Sequence, residues 1–333
     1  MLELSSLEIL KNKKNLLAFS GGADSTTLFF LLLKQNIKFD IAIVNYNQRV
    51  QSVKEVEYAK ELASKYDLKC HTLVAPKIEK NFESKAREIR YDFFESLISE
   101  YGYENLLTAH HLGDRFEWML MQFCKGAGCA EIAGMQKVQQ RDFYTIVRPL
   151  LHLDKQELYD YLGKENIKYF EDETNKNEDI KRNSFRHNYS APLLDKYLSG
   201  IKKSFDYIDE DRQTLIPEVK IEHIEDLTYF KSLKNPRANI FIIDKILKSK
   251  LYMLSANERE LLKNEGALVV GRKFIVSHNK EFIFIAPYSK DDSCINMSHE
   301  FKEKCRLLKI EPKLRPFFYK NEEIFTKIKE LLS

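Results

Sequence analysis

The sequence predicts an α/β chain, a doubly wound parallel sheet followed by a smaller, mainly helical carboxyl-terminal domain. Three observations lead there. Short apolar runs of strand length alternate with helix-length runs from residue 15 to residue 147, the rhythm of successive βαβ units. The first apolar run ends in Ser20-Gly21-Gly22 and passes straight into a helix, as parallel strands do at their ligand-binding edge. The alternation is lost near residue 215, and 333 residues exceed what one ordinary domain holds. The boundary is placed between 200 and 215, giving domains of residues 1–210 and 211–333.

Taken in order, residues 15–19 (NLLAF) read as strand and 24–34 as a helix with Asp24 in its first turn. Residues 39–44 read as strand, 54–65 as helix, 68–73 as strand, 83–99 as helix, 105–109 as strand, 114–124 as helix and 144–147 as strand. Residues 153–190 continue as helix, loop and a polar segment rich in Asp, Asn and Arg. Beyond 215, helices are expected around one β-like stretch, 268–285, before a basic, proline-punctuated tail.

Hydrophobic residues at 44% and charged residues at 31% make a globular mixture. The apolar run 28–33 is far short of a membrane span, and 16–19 is too short for a signal-peptide core, so no membrane partner and a cytoplasmic location are expected. Cysteines at 70, 124, 129, 294 and 305 include no C-x-x-C pair, which argues against a disulfide framework, a zinc site or an iron–sulfur site. Residues 1–200 carry 28 Lys+Arg against 29 Asp+Glu and residues 201–333 carry 25 against 21, so the positive excess lies wholly in the second part. Alone, that excess fits a solvated surface better than a nucleic-acid footprint.

Ser20-Gly21-Gly22-Ala23-Asp24-Ser25 stands where a strand hands over to a helix, and free N–H groups and the helix dipole favour an anion there. Two glycines let the backbone approach a phosphate, while Ser20 and Ser25 add hydroxyl donors. Neither G-x-x-x-x-G-K-[ST] nor G-x-G-x-x-G is present, which sets aside a Walker loop and a dinucleotide fold. Asp24 facing a polyphosphate needs a cation between them, and magnesium fits that place. Arg87 and Arg90 are three apart on a helix beside Tyr91, a set suited to a phosphate and a base, or to an ordinary salt-bridged surface. Asp114 and Glu117 open the helix after His110-His111, one turn apart and at the active edge of the sheet, where Asp114 also suits a cap.

These pieces resemble a known family. SGGADS is similar to the SGGxDS pyrophosphate loop of the ATP pyrophosphatases, which implies the adenine nucleotide alpha hydrolase-like fold, bound ATP and Mg2+. The run 108–135 resembles the AHHxxDxxET…RGxGxxGLxGM signature of the tRNA(Ile)-lysidine synthase family through AHHLGD, Glu117, Lys125-Gly126-Ala127-Gly128 and Ala133-Gly134-Met135. Arg148-Pro149-Leu150-Leu151, Glu171-Asp172-Glu173-Thr174-Asn175 and Arg182-Asn183-Ser184-Phe185-Arg186 resemble its RPLL, EDxTN and RNxxR elements in the same order. The chain departs at Trp118, where Thr is usual, at Arg115 for Gln, at Lys125 for Arg, and at Tyr46 within VNYNQR for His.

The resemblance implies that ATP adenylates the carbon-2 oxygen of the wobble cytidine of an isoleucine tRNA, and that the side-chain amine of free L-lysine then displaces AMP. It implies ATP contacts at Ser20, Gly21, Gly22, Ala23, Asp24, Ser25, Asn45, His110 and Arg148. It implies catalytic roles for Asp24, Arg87, Arg90, Asp114 and Glu117, with magnesium at Asp24. Lysine or cytidine contacts are implied at Tyr91, Asp114, Asp172, Asn175, Arg182, Asn183 and Arg186, although Asn175 and Asn183 serve equally well as loop-ordering residues. Pro312-Lys313-Leu314-Arg315-Pro316 resembles the family's carboxyl-terminal tRNA-binding segment, near Phe301, Phe317, Phe318 and Tyr319. A tRNA thiolase would want paired cysteines, and an amidotransferase-type synthetase a cysteine before Cys70. A non-catalytic, ATP-sensing RNA-binding protein is the rival from another class, and the sequence leaves a homo-oligomer open.

Overall fold

A computed structural model describes every residue except 1, 3, 48–50, 172–180, 216–218, 292–294 and 333. It divides into two compact units, residues 1–210 and 211–333.

The first unit runs α1 (Leu4–Leu10), β1 (Asn15–Ala18), α2 (Ala23–Lys34), β2 (Asp40–Asn45), α3 (Gln51–Lys65), β3 (Cys70–Val74), α4 (Phe82–Tyr101), β4 (Asn105–Leu107) and α5 (Leu112–Phe123). It continues through α6 (Cys129–Ile132), β5 (Val138–Gln140), β6 (Thr145–Val147), α7 (Lys155–Lys164), α8 (Lys181–Phe185), a π-helical turn (Arg186–Ser190) and α9 (Ala191–Leu215). The sheet order is β3-β2-β1-β4-β6-β5, parallel except for β5 on β6. From β1 the chain builds outward to β3, then returns to the other side at β4, so β1 and β4 flank the topological switch point where such sheets bind ligands.

Alternation within the strands explains why they lie between helix layers. Leu17, Ile41, Leu107 and Val147 pack with Leu28, Phe29 and Leu32 of α2, while their neighbours Leu16, Ala42, Leu106 and Ile146 pack with Phe94, Leu97 and Ile98 of α4. Asn15, buried at the start of β1, is fully used: its amide donates to Leu10 O at 3.0 Å and Lys38 O at 2.7 Å, and its oxygen accepts from Asn105 at 2.9 Å. The edge strand β5 was not foreseen, because VQQ carries no apolar signal and pairs on one side only. α5 starts two residues earlier than expected because His111, not Asp114, caps it.

In the second unit, β7 (Ile221–Ile224), β8 (Leu227–Lys231), α10 (Pro236–Ser249), α11 (Ala256–Asn264), β9 (Ala267–Val270), β10 (Phe274–His278), β11 (Phe282–Pro287), α12 (His299–Leu307), α13 (Arg315–Lys320) and α14 (Glu322–Leu332) follow in order. Its five-stranded antiparallel sheet, β7-β8-β11-β10-β9, is larger than the single β-like stretch expected. The β7–β8 hairpin escapes reading because it turns on Glu225, at φ 51°, and Asp226 rather than on glycine. Ile243, Ile246 and Leu247 of α10 cover one set of strand side chains, and Phe317, Phe318, Phe325 and Ile328 cover the other. Phe317 and Phe318 are therefore core residues rather than stacking platforms, and Phe301 packs on Tyr319 and Phe325 at 5.0 and 4.9 Å. Lys313 donates to Ala267 O at 2.8 Å and Arg315 to Ile310 O at 2.9 Å, so both brace this unit's own backbone.

Candidate active site

The glycine loop closes between β1 and α2. Gly21 has φ +76°, and Phe170 lies against it, donating its N–H to Gly21 O at 2.9 Å. A β-carbon on Gly21 would meet the Phe170 ring at an ordinary 3.4 Å, so it is the left-handed backbone that calls for glycine here. Ser25 accepts from Ser20 N at 3.2 Å and donates to Gly22 O at 3.2 Å, which folds the loop onto the helix start. Gly22 caps α2 without a side chain, so the first-turn N–H groups beyond it face outward for an anion.

Asp24 in that first turn pairs with Lys155, the first residue of α7, at 2.5 Å. Sequence reasoning missed Lys155: it opens an ordinary capped helix 131 residues away, and only the fold brings it to the loop. Asp24 is one carboxylate rather than a cage, and among the described residues no group of three or more His, Cys, Asp or Glu is placed to hold a metal. That donor set fits magnesium shared with phosphate oxygens, the usual way this ion is bound.

Across the switch point, β4 delivers His110, His111 and α5. His111 accepts from Gly113 N at 3.0 Å through Nδ1, and its own N–H donates to Asp114 at 3.1 Å. Asp114 and Glu117, one turn apart and both buried, are held by two guanidiniums from one short helical stretch. Arg182 reaches Asp114 at 3.0 Å and also binds Glu117, while Arg186 reaches Glu117 at 2.9 Å and Asp114 at 3.3 Å. Burial would raise the Asp114 carboxyl, but His111, His110, Arg182 and Arg186 overcome it and hold Asp114 below the ordinary carboxylate range. The arginines expected to contact lysine or cytidine thus meet carboxylates expected in the same site. The spacing of Arg182 and Arg186, four apart, was the available signal for one shared face.

His110 donates to or accepts from Thr108 Oγ1 at 2.9 Å through Nδ1. Burial pushes its imidazole down to about 4; Asp114 opposes, and the charges of Arg148, Arg182 and Arg87 add to the fall. His110 is therefore neutral at physiological pH. Between the ordinary histidine value and about 4 the unfolded chain binds a proton that native His110 refuses, so this residue's contribution to stability declines as pH falls through that window. In a pH series by NMR, the His110 ring signals should stay in their neutral positions from pH 8 to about pH 5; a midpoint at 6 or above would contradict this environment.

Arg148, buried at the end of β6, donates to Gln136 O at 2.8 Å and to Gln139 at 3.1 Å, and its Nε is without a partner. Burial lowers it to about 10. A buried cation with only neutral acceptors is prepared for an anion. Arg87 lies 4.7 Å from the Tyr91 ring centroid, and Tyr91 in turn packs on Phe94. Burial raises the Tyr46 hydroxyl, and the nearby charge of Arg90 opposes that rise without cancelling it. Tyr46 donates to Ala86 O at 2.8 Å, and Asn45 orders the turn after β2 by accepting from Asn47 N at 2.8 Å. Asn183 is buried on α8, and Asp172 and Asn175 lie outside the described residues. Arg115 forms a double ion pair with Asp209, at 3.0 and 2.5 Å, and lies 4.2 Å from the Phe205 ring, tying α9 to α5.

Comparison with known proteins bears on the family and the fold. A PP-loop domain family matches residues 3–192. A tRNA(Ile)-lysidine synthase of Helicobacter pylori is 45% identical over 314 residues, covering 94% of this chain and 91% of the relative. Those of Wolinella succinogenes and Campylobacter jejuni are each 42% identical, covering 96% and 95% of this chain and 97% and 95% of the relatives. Among solved structures, a U34-tRNA thiolase of Methanococcus maripaludis with its [4Fe-4S] cluster aligns with a TM-score of 0.52 at 17% identity, covering 66% of this chain and 80% of that one, which is a likeness of fold. No described helix is long and apolar enough to cross a membrane.

Proposed function

The chain belongs to the PP-loop domain family and, within it, to the tRNA(Ile)-lysidine synthases, and from that premise we infer that it joins free L-lysine to carbon 2 of the wobble cytidine of the CAU-anticodon isoleucine tRNA. The product base, lysidine, switches codon reading from AUG to AUA. The observation that carries the reading is the pairing of an uncapped phosphate loop on one side of the switch point with the Asp114–Glu117–Arg182–Arg186 cluster on the other.

In the first step the carbon-2 oxygen of cytidine attacks the α-phosphate of ATP, and pyrophosphate leaves. Ser20–Ser25 would hold the phosphates, with Lys155 beside them and Arg87 and Arg148 across the crevice to take up charge as pyrophosphate departs. Magnesium, shared between Asp24 and the phosphates, would supply Lewis-acid neutralisation of that charge. In the second step the lysine ε-amine attacks carbon 2, and AMP leaves with the oxygen that it activated. Asp114, held below the ordinary carboxylate range, is better suited to hold an ammonium than to deprotonate it. Free lysine brings both ammonium and carboxylate groups, so it can exchange partners with the cluster without stranding a charge.

The second unit, with 11 Lys+Arg against 4 Asp+Glu over residues 231–280, would contact tRNA phosphates from a cytoplasmic protein. Incubating the protein with ATP, lysine and the isoleucine tRNA should raise the tRNA mass by one lysine less one water, with one AMP and one pyrophosphate released per modified base. Pyrophosphate release with unchanged tRNA mass would sink the assignment. Sulfur incorporation instead would favour the thiolase reading.

A further inference from the structure

Trp118 has no part in the cluster beside it. It stands four residues after Asp114 and one after Glu117, so on α5 it lies one helical turn along from Asp114. Those two carboxylates point inward and are buried, whereas the indole is 42% exposed. One edge of the ring is nevertheless closely packed. Gly134, at φ +42°, lies so close that a β-carbon there would sit 2.3 Å from the indole Nε1 and 2.4 Å from Cδ1. The missing side chain and the left-handed backbone of Gly134 together make a seat for one edge of the ring. A half-exposed aromatic ring packed along one edge is a poor use of a surface position unless something lies on its face.

We propose that Trp118 is the stacking platform for the nucleobase next to the wobble cytidine in the anticodon loop. The proposal rests on the tRNA reading above and adds to it a residue and a contact. A single-stranded loop exposes unstacked bases, which aromatic side chains hold through π-faces. The i, i+4 separation of Asp114 and Trp118, roughly 5–6 Å between β-carbons, suits one nucleotide in the reacting crevice and its neighbour on the indole. Gly134 acts as a positioning residue for that ring.

The chain has a single tryptophan, so its fluorescence reports this ring alone. Titrating the intact protein with the isoleucine tRNA should quench the emission saturably, and an acceptor-stem hairpin lacking the anticodon loop should not. Trp118→Ala should raise KM for tRNA about 5- to 100-fold, the range of one lost base–aromatic stack, with KM for ATP and lysine unchanged. Trp118→Phe should recover most of the loss, because a flat ring remains. Product formation with unaltered emission at tRNA saturation overturns the platform and leaves the reaction intact. A Trp118→Ala variant whose KM rises equally for ATP, lysine and tRNA overturns it as well, showing the ring to be a structural prop. Failure to modify the tRNA at all sinks the parent reading, and the platform with it.

Discussion

Replacing Asp24 by Ala or Asn should lower pyrophosphate release by on the order of a thousandfold and leave thermal stability almost unchanged. The carboxylate is the one acidic side chain in the first turn of α2, directly behind the uncapped phosphate loop. Without it the loop keeps its N–H donors and hydroxyls but loses the carboxylate that, in the proposed mechanism, would share a cation with the phosphates. Several kcal/mol of transition-state stabilisation at roughly 1.4 kcal/mol per decade gives the magnitude. Stability should hold because the Asp24–Lys155 pair is about one-third exposed on both sides, and such pairs contribute on the order of 0–1 kcal/mol. Lys155→Ala should show the milder half of the pattern, a raised ATP KM. The measurements are pyrophosphate release under saturating lysine and tRNA, with the unfolding midpoint as control. Near-normal turnover in Asp24→Ala would remove the loop from the chemistry.

Removing both arginines, in the Arg182→Ala, Arg186→Ala double variant, should act in the opposite way, on the fold as much as on the reaction. Glu117 has a side chain 1% exposed and Asp114 one 12% exposed, so Glu117 would be left buried without either guanidinium and Asp114 with His111, at 3.6 Å, as its remaining ion-pair partner. Stranding a buried charge costs about 3–5 kcal/mol, a fall in Tm of roughly 10 °C for a unit of this size. Adding Glu117→Gln to the double variant should recover part of the loss, since the stranded charge is then gone. The acid limb follows from the same contacts. The native Asp114 carboxyl sits below its unfolded value, so its contribution is complete above the ordinary carboxylate range and is lost as pH falls through and below it. Urea or thermal unfolding at neutral pH tests the ledger; an unchanged midpoint in the double variant would mean that the ion pairs are incidental.

Much of the first unit was legible because its signals are local. Strand runs such as NLLA, the SGG turn and the switch to helical spacing each depend on neighbours within a few residues, and their order along the chain implies the parallel sheet and its active edge. The motifs likewise pointed to Asp24, Asp114 and Glu117 as catalytic candidates and to Arg182 and Arg186 as lysine or cytidine contacts. What each of these side chains faces was decided by tertiary structure. Lys155 reaches Asp24, Arg115 finds Asp209, and two arginines settle on two carboxylates across separations of 65 to 131 residues. The same holds for Phe317 and Phe318, whose basic, aromatic setting reads as a nucleic-acid surface until the sheet beneath them makes them core. Sequence spacing fixes which residues share a helix face or a strand face, because 3.6 and 2 are properties of the backbone. It carries no record of which faces meet, and both burial and the pairing of charges are decided where they meet.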